Sequence, residues 1–483
     1  MTRLYSLLYI TFLMFCVSGM KAQDTLGIRN VLLDNLVVKG NKVSPVKEMT
    51  DGSMLWEMSS MDDLPKILGN SDPIHYTQML PGIGTNAEYQ SGIHIQGCDN
   101  SHNIVSINGV PLYNVNHLLG FFSIFNASHF STLNIRKSLY DVSTANRLGG
   151  GLDMETNANI PDSTNGEFAS GLISSPGTLR TPLGRRTSMT LSLRGSYINM
   201  LYGSWLKADN TQIEYSFYDC NFTLCHHIDD RNTVTIDFYA GNDTGNLNES
   251  SYLSDNALKW GNVMGSLRWK HHGHGFNVNQ TIYSTYYHNK FMLTMQDNNY
   301  ALKSSNMDLG YKGNITAGRW DIGLDAVWHN IQPQYLDNNN TYNVTSGNPE
   351  RQYSSEASAF VRYSLHLRKH STMIFGARAT LYSADGNHFG SADPSLAFMY
   401  DNSTVALSVS CYLRHQYLFQ TGISSSGLPT EFWMSTGSIN RPQYAYGGNV
   451  TASTYLANRK YRLSAELFYK RLHHQVEYLG NLL

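Results

Sequence analysis

From Gly166 onward, apolar and polar residues alternate with a period of two in one segment after another. Tyr218, Cys220, Phe222 and Leu224 fall on one face of such a segment, and Asp219, Asn221 and Thr223 on the other. Val234, Ile236, Phe238 and Ala240 oppose Thr233, Thr235, Asp237 and Tyr239. Val405, Leu407, Val409, Cys411 and Leu413 oppose Ala406, Ser408, Ser410, Tyr412 and Arg414. Successive side chains of a strand point to opposite sides, so each segment predicts a strand with one apolar and one polar face. Segments of roughly ten such residues suit strands that face lipid on one side and a wet lumen on the other. A soluble antiparallel sheet alternates as well, but two features favour the membrane. The polar face carries Arg194, Arg268, Arg362, Arg378 and Arg414, which a hydrated interior accommodates. The connections also alternate in length, with short turns near 184–187, 227–232, 271–275, 316–318, 369–371, 401–403 and 458–460. Longer segments over 197–212, 241–257, 290–304, 330–351 and 415–447 lie between them. Short turns on one side and long loops on the other predict an up-and-down outer-membrane barrel of about 15 strands.

Upstream of this region, residues 78–126 have a different grammar. Leu80-Pro81-Gly82-Ile83 precedes short alternating stretches at 93–96 and 104–107, and Ile107-Asn108-Gly109-Val110-Pro111 follows. Asn-Gly between apolar runs is a strong short-range hairpin signal. Helices are expected over 51–61 and 72–80, the second ended by Pro81-Gly82, and strands over 128–136 and 152–156. In the order of these parts the region resembles the plug domain of TonB-dependent outer-membrane receptors, and the resemblance extends through the alternating region to Leu472. It implies a mainly β chain, with a small α+β plug followed by an antiparallel transmembrane β-barrel. Plugged transporters have ~22 strands, so the barrel reads as incomplete. The terminal Leu482-Leu483 also departs from the terminal aromatic of the family.

At the N-terminus, Arg3, the apolar stretch 4–17 and the small residues before Gln23 read as a secretory signal cleaved after Ala22. About 14 apolar residues are short for a membrane helix, and Phe15 before Cys16 does not suit a lipoprotein signal. The expected organisation is signal peptide 1–22, N-terminal extension 23–50, plug 51–160 and partial barrel 161–483. Within the extension, the resemblance implies a TonB box, a short apolar segment that pairs as an added strand with a TonB-type energy-coupling protein. Leu36, Val37 and Val38 are the candidates, and an ordinary first plug strand is the alternative.

Composition narrows the function. A net charge of -2 makes no electrostatic case for nucleic acid. Cys98, Cys220, Cys225 and Cys411 have no spacing that implies a disulfide framework. Neither G-x-S-x-G, H-E-x-x-H nor a Walker pattern occurs, so no enzyme, cofactor or metal is expected. His271-His272-Gly273-His274 reads as a solvated turn. The resemblance implies a receptor of the Gram-negative outer membrane, in contact with its lipid, for energised uptake of a scarce extracellular solute such as a siderophore, cobalamin or glycan. His94, Asn100, His102, Asn116 and His117 are the candidate ligand contacts at the plug apex. The alternatives are a truncated receptor that does not transport and, behind it, an outer-membrane barrel enzyme.

Overall fold

The structure is a computed structural model. It describes residues 46–49, 53–85, 92–144, 146–208, 211–249, 254–295, 298–338, 350–402, 404–421, 431–438, 440–457 and 460–476. The TonB-box candidates Leu36, Val37 and Val38 lie outside the described residues.

Asn108 and Gly109 both adopt positive φ, 52° and 79°, the geometry of the tight hairpin turn that Asn-Gly favours. The turn joins strands Ile104–Ile107 and Val110–Leu112. These form one edge of a six-stranded plug sheet that continues through Gly151–Thr156, Phe130–Arg136, Met54–Glu57 and Val46–Glu48. Gly151–Thr156 runs parallel to Ile104–Ile107 and antiparallel to Phe130–Arg136. The helix expected near residue 72 spans Pro73–Gln78. Asp72 caps it by accepting from the amides of Ile74 and His75, and proline stands in the first turn. Within 51–61, the described residues 53–61 do not form the expected helix. Met54–Glu57 is a strand and Met58–Asp63 a 3-10 helix, because Trp56 and its neighbours pair with the distant strand around Leu133. A local pattern does not reveal a partner that far away.

The second sheet has a main path of 15 antiparallel strands from Asn165–Phe168 to Tyr461–His473, in sequence order apart from the inner hairpin described below. Among the described residues its first and last strands do not pair, so the wall is open. Its faces reverse the pattern of a water-soluble sheet. Ile236 and Phe238 are about 40% exposed outward, while Thr235 and Asp237 are buried within. Leu267 is exposed outward and Arg268 is buried inward. An apolar exterior around a polar interior suits lipid outside and a wet, plugged lumen inside.

Two of the segments expected as long loops, 241–257 and 290–304, are mostly strand. Asn232–Glu249 and Ser254–His272 pair residue for residue up to Glu249 and Ser254, and 290–304 is paired up to Met295 and Asn298. Asn, Gly and Asp in these stretches lower strand propensity, but an uninterrupted ladder from the neighbouring strand overrides it. On the same side, strands Ser371–Ala384 and Asn387–Asp401 join through a tight turn. Strands of 20 residues extend roughly 65 Å at about 3.4 Å per residue. That is well beyond an apolar band ~25 Å tall, so the wall projects past it.

The plug core is continuous with the wall. Ile107, Val110, Leu133 and Met154 pack in one cluster with the inward-facing Tyr239, Met264 and Tyr283. The plug tolerates little added volume near residue 150, where a Cβ would lie 2.6 Å from the Arg136 carbonyl oxygen and 2.7 Å from the Ile95 side chain. Gly150→Ala should therefore destabilise the plug by about 1–3 kcal/mol. The check is the urea concentration at which the plug becomes protease-sensitive; an unchanged midpoint would mean the strand has room.

Candidate functional site: the plug seat and the lumen

Of the five polar-face arginines singled out above, four hold the plug. Arg194 donates from Nη2 to the Ser123 carbonyl (2.6 Å) and from Nε to Asp219 (2.6 Å). Arg362 bridges Asp141 of the plug (3.2 Å) and Asp321 of the wall (2.8 Å). Arg378 is almost fully buried. It reaches Asn146 Oδ1 (2.9 Å), the Val142 carbonyl (3.2 Å) and Asp325 (2.6 Å). Arg414 donates to the carbonyls of Leu139 (2.9 Å) and Asp141. The loop 139–146 is thus fastened by three guanidiniums. Burial alone would raise the Asp141 carboxyl, but Arg136, Arg362 and the Ser143 hydrogen bonds bring it down to about 2.

A second seat is built around His117. Its Nε2 lies 2.6 Å from Asp219 and its Nδ1 2.5 Å from Asp243. Its ring stacks on Phe217 with centroids 4.6 Å apart. The amide of the next residue, Leu118, donates to the Tyr215 hydroxyl (2.8 Å) and Asp243 (3.1 Å). Burial on its own would push the imidazole down, yet the two carboxylates outweigh it and hold His117 at about 9. His129 shows the opposite outcome. It is equally buried, but it faces the hydroxyls of Ser192 (2.8 Å) and Thr223 (3.0 Å). With no carboxylate to oppose it, burial lowers His129 to about 3.

The five candidate ligand residues separate into two groups. His94, Asn100 and His102 lie around the turn Asn100–His102, beside the far end of the strand Val405–Gln416, where Gln416 donates to the Ser101 carbonyl (3.1 Å). His102 is buried, its Nδ1 accepts from the Asp99 amide (3.2 Å), and burial lowers it to about 4. Asn100 accepts from the Ile93 amide, and His94 is half-buried near Asp99. Asn116 and His117 belong to the other group, where the Asn116 carbonyl receives the Trp260 indole (2.9 Å). His117 has both ring nitrogens occupied and is enclosed, so it serves as an anchor with no free atom for an external ligand.

Sequence reasoning missed three features. Leu118 and Leu119 take φ of 48° and 57°, uncommon for side chains of this size. Leu119 stands exposed at the tip of this plug loop. Asp219 looked like any polar-face residue and Asp243 fell in a segment expected as a loop; only strand pairing brings them to one imidazole. A hairpin within the long connection after residue 416, Leu418–Thr421 with Phe432–Ser435, is buried against the plug. Its Trp433 packs edge-on against Tyr113 (5.1 Å) and beneath the Arg147 guanidinium (5.2 Å).

No family model matches the sequence, and no curated protein sequence does either. Solved structures do match. The siderophore receptor PirA from Acinetobacter baumannii superposes with a TM-score of 0.63 at 13% identity, covering 87% of this chain and 70% of that one. The fold is that of a TonB-dependent outer-membrane receptor, a plug seated in a barrel-type wall. The ferric enterobactin receptor PfeA from Pseudomonas aeruginosa gives 0.60 at 14% identity over 87% of this chain and 71% of its own. FauA, the alcaligin receptor from Bordetella pertussis, gives 0.58 at 11% identity over 88% and 71%. Identities this low establish the fold alone.

The His117 seat makes plug retention depend on pH. The folded value of about 9 stands above the ordinary 6.5, so the stabilisation is complete below about pH 6.5 and lost as pH rises through about 9. The urea midpoint for plug release should fall across that window more steeply in the wild type than in His117→Gln. Parallel curves for the two proteins would show that the imidazolium contributes nothing.

Proposed function

We propose that the protein is a TonB-dependent outer-membrane receptor that binds a scarce extracellular solute and admits it when a TonB-type coupling protein acts on the plug. The observation that carries this reading is the polar seating of the plug. It is held in the lumen by guanidinium, carboxylate and imidazolium contacts to the wall, which a mechanical pull can exchange for water. The apolar contacts with Tyr239, Met264 and Tyr283 belong to the same seat and are exposed along with the polar ones when the plug moves. The siderophore receptors of like fold favour a siderophore-type cargo. Contact with the solute falls to the plug apex around His94, Asn100, Asn116 and the exposed Leu119. Residues 36–38 are the proposed coupling strand.

The open edge of the wall favours a second reading, a receptor-type plug and partial wall that binds partners without transporting. The two readings separate in one experiment. In a Gram-negative host lacking its own ferric-siderophore receptors, the chain should support uptake of radiolabelled ferric siderophore. Val37→Pro, which removes a backbone donor from the added strand, should cut that uptake at least about tenfold, while Val37→Ile should leave it unchanged. Absent uptake, combined with retained binding of the coupling protein's periplasmic domain, would select the non-transporting reading. Loss of neither activity in Val37→Pro would remove 36–38 from the coupling role.

A further inference from the structure

Arg268 is the exception among these five arginines. It is buried, with 6% of its surface exposed, and its Nε has no hydrogen-bond partner among the described residues. Lys270, two residues on along the same inward face, likewise forms no ion pair or hydrogen bond there. Both line a cavity of about 230 Å³ between the plug sheet and the wall, near the strand ends that meet the tight turns. The carboxylates bordering this cavity are committed elsewhere or lie at its rim. Asp325 is paired with Arg378 (2.6 Å). Asp153 accepts from the Ser106 hydroxyl (2.6 Å) and the Gly109 amide (2.7 Å). Glu155 is exposed. Lys312, a third cation of the wall at this cavity, is held by the Gly109 carbonyl (2.6 Å).

Two further polar groups at the cavity lack partners among the described residues. Asn134 of the plug and Asn279 of the wall line the cavity, and the Oδ1 of each is buried without a donor. Turned end for end, each amide presents an N–H to the cavity instead, since the two ends of an amide are isosteric. A buried guanidinium cannot relieve its charge by losing a proton. An unmatched one in a polar cavity therefore attracts an anion with oxygens spaced for its planar fork.

We propose that this chamber is a binding site for a small oxyanion, a carboxylate or a phosphate, held by Arg268 and Lys270 and flanked by Asn134 and Asn279. The site is independent of energised transport, because binding is read on the purified chain alone. The test is equilibrium dialysis of the detergent-solubilised full chain against radiolabelled malonate and, separately, inorganic phosphate. One anion per chain is expected, with a Kd on the order of 1 mM, in keeping with a few charge-assisted bonds in a wet cavity. Arg268→Gln should weaken binding at least about tenfold, and Arg268→Gln with Lys270→Gln should abolish it. Arg351→Gln, an exposed cation at the far end of the wall, should bind as the wild type does. Malonate bound more tightly than phosphate would assign a carboxylate, and the reverse order a phosphate. No retention of either anion by the wild type would overturn the proposal, whatever the variants do. So would undiminished binding by a double variant whose urea midpoint matches the wild type.

Discussion

A guanidinium inside a barrel lumen has no neutral form to retreat to, and taking it out of water costs several kcal/mol unless acceptors surround it. Arg194, Arg362, Arg378 and Arg414 all meet this demand with plug atoms, partly through carboxylates and partly through main-chain carbonyls. The carbonyls over 139–142 belong to an irregular stretch with no sheet ladder to satisfy them, and Ser123 ends a two-residue strand. Wall and plug therefore solve each other's hydrogen-bonding problem. The wall brings donors that it cannot pair internally, and the plug brings acceptors that its own loops leave open. Removing either half would strand the other.

Two buried histidines of one small domain carry different charges for the same reason. His117 meets two carboxylates from adjacent strands, and His129 meets two hydroxyls. Burial is comparable, so the partners decide. One becomes a cation that ties plug to wall electrostatically. The other is a neutral hydrogen-bonding spacer whose contribution does not change over the physiological pH range. The pH response of the seat is concentrated in the first.

Much of the fold was legible because its signals are local. Period-two alternation assigned the wall strands and their faces, as Phe238 and Asp237 illustrate, and Asn108-Gly109 marked the hairpin turn. What was not legible depends on partners far along the chain. Residues 54–57 are a strand because of a pairing with 132–135. The polar stretches around 242–248 are ladder because their neighbours continue it. The sites follow the same rule. His117 stood out as an exposed-apex candidate, but its fate is decided by carboxylates 102 and 126 residues away. The five inward arginines were visible, whereas which four would meet the plug was not.

The open wall sharpens the role of the plug. A closed barrel fixes its own curvature through strand tilt and register, and an open sheet has no such constraint. Here both edges are tied to the plug. Next to the first edge, where the edge strand Asn165–Phe168 turns into the second strand, Asn70 donates to Ser174 (3.1 Å) and the Leu172 amide to the Leu68 carbonyl (2.9 Å). At the last, Glu466 accepts from Lys137, and Lys470 donates to the Gly149 carbonyl (2.9 Å). Arg462 of that strand also pairs with Glu48 in the first plug strand. An unpaired strand edge in lipid leaves backbone groups unsatisfied, so any strand that lies beside Tyr461–His473 meets an edge already located. The position of that edge is set from inside, by contacts that span the opening through the plug.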